Sequence, residues 1–167
     1  MKSIETERKY IIKKPELEEL RAVSGYTVSH ITQTYLDTAH GVTERVRERR
    51  YGDNTAYTHT KKVRISSMSA IEDEREIAES EYRGLLLRRK PNTKAIEKTR
   101  HTFPYLGILF EIDEYPEWQN SCIMEYELKD EGESAELPPF ISVIREVTGD
   151  RAYSNAGMAE SFPKEDV

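Results

Sequence analysis

Glu5-Thr6-Glu7-Arg8-Lys9, inside the longer run Ser3 to Ile12 (SIETERKYII), alternates polar and apolar or oppositely charged side chains in the way a β-strand does. Successive side chains on a strand point to opposite faces, so Glu5, Glu7 and Lys9 emerge together while Thr6 and Arg8 face the other way. Two carboxylates about 7 Å apart on one strand face suit a hard divalent cation, and the ammonium that follows suits phosphate. Alternating charge also guards many exposed edge strands against aggregation. The pattern therefore gains its weight from what the rest of the chain repeats.

It repeats widely. Period-two segments occur at 3–12, 28–37, 42–51, 55–65, 70–77, 94–102, 107–115 and 122–129, which predicts eight strands. Gly41 and Gly52-Asp53-Asn54 mark turns, and links this short imply antiparallel pairing. Arg45, Arg47 and Arg49 share one face of the third segment, and Glu72, Glu74 and Glu76 are in phase in the fifth. Lys98 and Arg100 flank Thr99 in the sixth, Glu111 and Asp113 oppose Phe110 and Ile112 in the seventh, and Glu125 and Glu127 oppose Met124, Tyr126 and Leu128 in the eighth. In the fourth, Lys61 shares a face with Tyr57 and His59, and Lys62 shares the other with Thr58 and Thr60, so register decides which lysine joins the charged set.

A single charged strand face belongs in water, but so many together read differently. Eight antiparallel strands close into a barrel, which removes their edges, and with the charged faces inward the lumen carries carboxylates on some walls and Arg and Lys on others. The predicted fold is α+β but mainly β: a closed eight-stranded antiparallel barrel with a few flanking helices. Helices are expected at Pro15–Ala22, Ala78–Arg89 and Pro138–Val147, the last capped by Gly149, with a frayed tail over 160–167.

Composition supports an enclosed polar space. The chain of 167 residues fits one domain, yet 34% is charged and only 37% hydrophobic. Ten Tyr and four Phe spread along its length argue against disorder. A net charge of −6 argues against an electrostatic nucleic-acid binder. The lone cysteine, Cys122, allows no disulfide within the chain, the opening MKSIETERK is too charged for a signal peptide, and no apolar run reaches membrane-spanning length, so the expected location is cytoplasmic.

The quoted segments resemble the CYTH superfamily, the triphosphate tunnel metalloenzymes. IETERK is similar to its Glu-x-Glu-x-Lys motif, ERVRER to its Arg-x-Arg strand, EKTR to its Lys-x-Arg strand and MEYEL to its C-terminal Glu-x-Glu strand, while EVTGDRAYSNAGMA resembles the ending of short bacterial members. The resemblance implies a triphosphate-binding tunnel using Mg²⁺ or Mn²⁺. Residue by residue it implies metal held by Glu5, Glu7, Asp113, Glu125 and Glu127. It places Lys9, Arg45, Arg47, Lys61, Lys98, Arg100 and Arg151 on the phosphates, and gives catalytic roles to Glu5, Glu7, Lys9, Tyr35 and Glu74. Arg151, Tyr153 and Asn155 would close one mouth. The implied activity is hydrolysis of inorganic tripolyphosphate to pyrophosphate and phosphate, with weaker action on nucleoside triphosphates. Its partner is a small molecule, with no nucleic acid and no membrane, and a homodimer is compatible. The alternatives are a class IV-like adenylate cyclase, a thiamine or RNA triphosphatase, and a non-catalytic polyphosphate-binding module. Cyclases of that class carry a His-Phe pair before the first motif, where this chain has only Met1 to Ile4.

Overall fold

The structure, a computed structural model, describes residues 1–166. Eight antiparallel strands form a closed barrel: β1 (Lys2–Lys13), β2 (Thr27–Tyr35), β3 (Val42–Tyr51), β4 (Asn54–Arg64), β5 (Ser69–Ile77), β6 (Ile96–Tyr105), β7 (Ile108–Glu114) and β8 (Ser121–Glu127). Their order is β5-β4-β3-β2-β6-β7-β8-β1, and pairing of β1 with β5 closes the ring. Two tight hairpins set much of the register. Gly52-Asp53 turns between the paired Tyr51 and Asn54, and Leu106-Gly107 between Tyr105 and Ile108. Leu106 and Gly107 both have positive φ, 49° and 79°, as the twist-matched two-residue turn requires.

The helices are short: α1 (Leu17–Arg21) and α2 (Glu79–Leu85), the latter continued by a 3₁₀ turn at Leu86–Arg88, fall within the expected spans. The helix expected over Pro138–Val147 does not form. Residues Val143–Glu146 instead make β9, a short ninth strand, antiparallel to β1 at Tyr10 to Ile12. The cause is tertiary. β1 pairs with β5 only through Thr6 and with β8 only from Glu7, so its later half has a free edge that β9 covers. Gly149 does not cap a helix; its φ of 75° turns the chain where an added Cβ would come within 2.9 Å of the Ser67 side chain. A further helix, α3 (Asn155–Glu160), follows, with the Ser154 hydroxyl accepting from Gly157 N–H.

The tail is not frayed as far as Asp166. Phe162 packs on Tyr115 and Trp118, Trp118 Nε1 donates to the Pro163 carbonyl at 3.0 Å, and Arg145 pairs with Asp166 at 2.9 Å. Val167, also in the expected tail, lies outside the described residues. Trp118 is thus a packing residue, 4% exposed. No helix among the described residues is long and apolar enough to cross a membrane.

The apolar side chains sit around the lumen rather than in it. One cluster, including Phe103, Phe110, Met124 and Tyr126, lies with Leu20 of α1 and Phe140 on the outer face of β6, β7 and β8. A second joins Val46 and Ile77 to Tyr82 of α2. The third fills one end of the barrel, where Ile11 and its strand partner Ile123 meet Tyr115, Trp118, Tyr153 and Met158 of α3. Since Glu7, Lys9 and Ile11 are in phase on β1, the inward face changes along the strand from charged to apolar.

Candidate functional site

A cavity of about 770 Å³ occupies the remaining interior, lined by Glu5, Glu7, Lys9, Tyr35, Arg45, Arg47, Lys62, Arg64, Arg100, Glu111 and Glu125, with Arg151 and Asn155 at its rim. Cross-strand pairing shows how the sequence divides the wall. Going round the barrel, inward carboxylates come from β7 (Glu111, Asp113), β8 (Glu125, Glu127), β1 (Glu5, Glu7) and β5 (Glu72, Glu74), four neighbouring strands. Most of the cations come from β6 (Lys98, Arg100), β3 (Arg45, Arg47) and β4 (Lys62, Arg64), with Gln33 and Tyr35 of β2 among them, and one more, Lys9 of β1, stands within the acidic arc. One arc is acidic and the other basic.

Ion pairs pin the seams where the arcs meet. At the β4/β5 seam Lys62 Nζ lies 2.7 Å from Glu5 and 3.3 Å from Glu72. At the β6/β7 seam Arg100 donates Nε and Nη2 to the two oxygens of Asp113 at 2.7 and 2.8 Å, and Nη1 to Glu111 at 2.9 Å. Lys98 Nζ sits 2.9 Å from Asp113, with its side chain fully buried. Burial would raise the Asp113 carboxyl, but Arg100 and Lys98 hold it well below the usual carboxylate range.

Charges in the middle of each arc are less well matched. Among the described residues neither Arg45 nor Arg47 has a carboxylate within ion-pair distance; Arg45 Nε is buried without a partner, and Arg47 is held only by the carboxamide of Gln33. Burial, then repulsion from Arg45 and Arg100, lowers Arg47 to about 9, which still leaves it cationic at neutral pH. On the acidic side burial and the neighbouring Glu125 push Glu7 well above the usual carboxylate value. Glu127 rises to about 7 through burial and the surrounding Glu5, Glu111, Glu72 and Glu125. Glu125 goes the other way: burial is outweighed by Lys9, 3.9 Å away, with Glu7, Arg100 and Lys98.

The acidic side chains do not converge as they stand. Among the described residues no group of three His, Cys, Asp or Glu is positioned to hold a metal ion. Their chemistry nonetheless fits a hard divalent cation, because every donor is a carboxylate oxygen and their mutual repulsion is what a cation among Glu5, Glu7 and Glu125 would relieve.

The site residues expected from the sequence fall into three groups. Glu5, Glu7, Lys9, Tyr35, Arg45, Arg47, Arg100, Glu125 and Arg151 all line the cavity, Arg151 with a largely exposed side chain. Glu74, Lys98, Asp113 and Glu127 do not: Glu74 accepts from Thr60 Oγ1 at 2.8 Å, and Asp113 is committed to Lys98 and to Arg100. Lys61 is corrected. It is exposed on the outer face, and Lys62 is the lysine of β4 that reaches the lumen. The turn at Gly52-Asp53 carries that answer, since pairing Tyr51 with Asn54 sets Arg45 opposite Thr60 and Thr43 opposite Lys62. At the mouth, Tyr153 is buried in the end cluster, while Asn155 accepts from Tyr115 Oη at 2.9 Å and from Lys98 Nζ at 3.5 Å. Sequence reading missed Gln33 and Arg64 as wall residues; Glu111 it placed on the inward face with Asp113 but gave no role.

A closed antiparallel barrel with basic and acidic walls facing one another across its lumen defines a tunnel-type barrel domain. The CYTH domain matches residues 3–152, and the chain belongs to this family. An inorganic triphosphatase of Acetivibrio thermocellus is 36% identical over 105 residues, which are 61% of this chain and 64% of that protein, so the match spans just under two thirds of that relative. A solved structure of an inorganic triphosphatase is 25% identical with a TM-score of 0.59, over 95% of this chain and 96% of that one. A Pyrococcus horikoshii protein, 20% identical with a TM-score of 0.53 over 74% of this chain and 80% of that one, shares the fold.

Proposed function

We propose that this protein is a divalent-metal-dependent triphosphatase that hydrolyses inorganic tripolyphosphate to pyrophosphate and phosphate. The observation that carries the reading is the pair of lumenal guanidiniums, Arg45 and Arg47, left without carboxylate partners opposite a crowded carboxylate wall. The likeness to inorganic triphosphatases supports the same substrate class.

In this reading Arg45 and Arg47 bind the phosphate oxygens with charge-assisted hydrogen bonds, and Arg100 offers what its ion pairs leave free. Mg²⁺ or Mn²⁺ held by Glu5, Glu7 and Glu125 would neutralise phosphate charge and acidify a bound water. Attack by water on a terminal phosphorus breaks its bond to the bridging oxygen, which leaves on pyrophosphate, and the water's proton passes to a carboxylate of the acidic arc. Lys9 and the basic arc hold the charge that builds on the leaving group.

Phosphate release from tripolyphosphate, pyrophosphate, ATP and thiamine triphosphate, with Mg²⁺ or Mn²⁺ and with EDTA, tests the reading. Tripolyphosphate should have the highest kcat/KM and EDTA should abolish turnover. A preference for ATP with cyclic AMP as product would establish a cyclase instead, and binding without turnover a polyphosphate-binding module.

A further inference from the structure

Arg47 and Arg100 are gripped by the same edge of the guanidinium but by partners of different charge. Arg100 offers Nε and Nη2 to the Asp113 carboxylate. Arg47 offers Nε and Nη2 to one neutral oxygen, Gln33 Oε1, at 3.2 and 2.9 Å. Gln33 is 0% exposed, directly opposite Arg47 on the β2–β3 ladder, and its Nε2 donates to Tyr35 Oη at 2.9 Å.

We propose that Gln33 is a positioning residue of the triphosphate site, fixing Arg47 by its inner edge while leaving the guanidinium charge unneutralised for a polyphosphate anion; this rests on the triphosphatase reading. A carboxylate at position 33 would complete the same fork more strongly, and Arg47 would then resemble Arg100, its charge committed to the protein. An apolar side chain of equal length would leave the guanidinium edge unpartnered and the side chain free to turn. Only the carboxamide holds the group without adding charge. Tyr35 fixes which way the amide points: with Nε2 donating to Tyr35 Oη, the oxygen faces Arg47. The tyrosine oxygen is then an acceptor towards Gln33, so its own hydrogen is free to point into the cavity that Tyr35 lines. One buried amide thus sets both a cation and a neutral donor towards the anion.

The test compares Gln33→Glu, Gln33→Met, Arg47→Ala and the double variant Gln33→Met/Arg47→Ala by initial rates of tripolyphosphate hydrolysis with Mg²⁺ and by melting temperature. Gln33→Glu should raise KM about tenfold or more while its Tm stays at or above wild type, because a buried ion pair replaces a neutral fork. Gln33→Met should lower kcat/KM by about 2- to 12-fold, the size of one ordinary hydrogen bond. On the Arg47→Ala background it should cost no more than about twofold, since the group it positions is gone. Wild-type KM in Gln33→Glu, an undiminished effect of Gln33→Met without Arg47, or equal Tm and kcat losses in both Gln33 variants would overturn the assignment. Those outcomes with normal wild-type turnover remove this inference alone, whereas a wild-type protein inert towards tripolyphosphate removes the triphosphatase reading and this inference with it.

Discussion

Arg47→Ala and Arg100→Ala should fail in opposite ways, although both remove an arginine from the same wall. Arg100 makes three charge-assisted bonds, two of them to Asp113, which is 1% exposed. Its loss leaves Asp113 with Lys98 as its only cationic partner among the described residues, and breaking a buried pair in this way costs about 3–5 kcal/mol. For a chain of this length that is a fall in Tm of about 6–20 °C. Removing Arg47 orphans Gln33 Oε1, at a cost of about 1–3 kcal/mol. It also removes a cation repelled by Arg45 and Arg100, so the two contributions largely cancel and Tm should move by no more than about 4 °C. Affinity reverses the ranking. Arg47 has its charge free for phosphate, and losing a charge-assisted bond of about 1.5–3 kcal/mol weakens tripolyphosphate binding about 10- to 150-fold. Thermal melts without ligand and calorimetric titration with tripolyphosphate measure the two quantities separately. An Arg47→Ala protein that melts as low as Arg100→Ala, or that binds as tightly as wild type, would refute the division into committed and free cations.

The two lysines of β4 should separate in the same assays. Lys61→Ala, at an exposed outer position, should leave activity unchanged, whereas Lys62→Ala leaves Glu5 and Glu72 facing each other and should lower activity at least about tenfold. Metal-free protein should lose stability as pH rises from about 4.5 to about 7. Glu7 and Glu127 have folded pKa values above their unfolded ones, so the folded state binds more protons in that window and its advantage fades as they leave. Melts against pH in EDTA check this, and a Glu7→Gln/Glu127→Gln variant that loses stability across the same window as steeply as wild type would count against it. Phe162→Ala should cost about 1.5–3 kcal/mol by denaturant melt, because its ring packs against Tyr115 and Trp118; a shift near zero would mean that the tail does not hold the end cluster together.

The barrel was legible because a period of two needs no knowledge of the partner strand. The charged residues at alternate positions of β3, β5, β6, β7 and β8 face where that alternation puts them, and hairpin turns fix their neighbours. What stayed hidden depends on tertiary placement. The Pro138–Val147 segment, running from a proline to the turn glycine Gly149, reads as a helix, yet Val143 and Ile144 are β-branched and the free edge of β1, which no local pattern reveals, takes them as a strand. Lys98 shares the phase of Arg100, but it lies near the closed end, beneath Asn155, so being inward does not make it lumenal. Gln33 carries no charge and matches no motif; its weight comes from standing opposite Arg47.

The two arcs make the proposed cation and anion depend on each other. A phosphate drawn to Arg45 and Arg47 also faces Glu7 and Glu125 across the lumen. At an effective dielectric of about 20, two unit charges about 7 Å apart interact by about 2 kcal/mol, so the acidic arc opposes an anion nearly as strongly as the basic arc attracts it. A divalent cation on the acidic arc reverses the sign of that wall for the anion, and the anion in turn adds oxygen ligands that the scattered carboxylates do not themselves bring together. Each ligand then raises the other's affinity by the same factor, as linkage demands. The β6/β7 seam could not supply this coupling, because Arg100 with Asp113 is already neutralised. The fold uses charge pairs to close the barrel where the arcs meet and leaves like charges crowded at their centres, and in the proposed reading that crowding would favour a metal-bound polyanion over either ion alone.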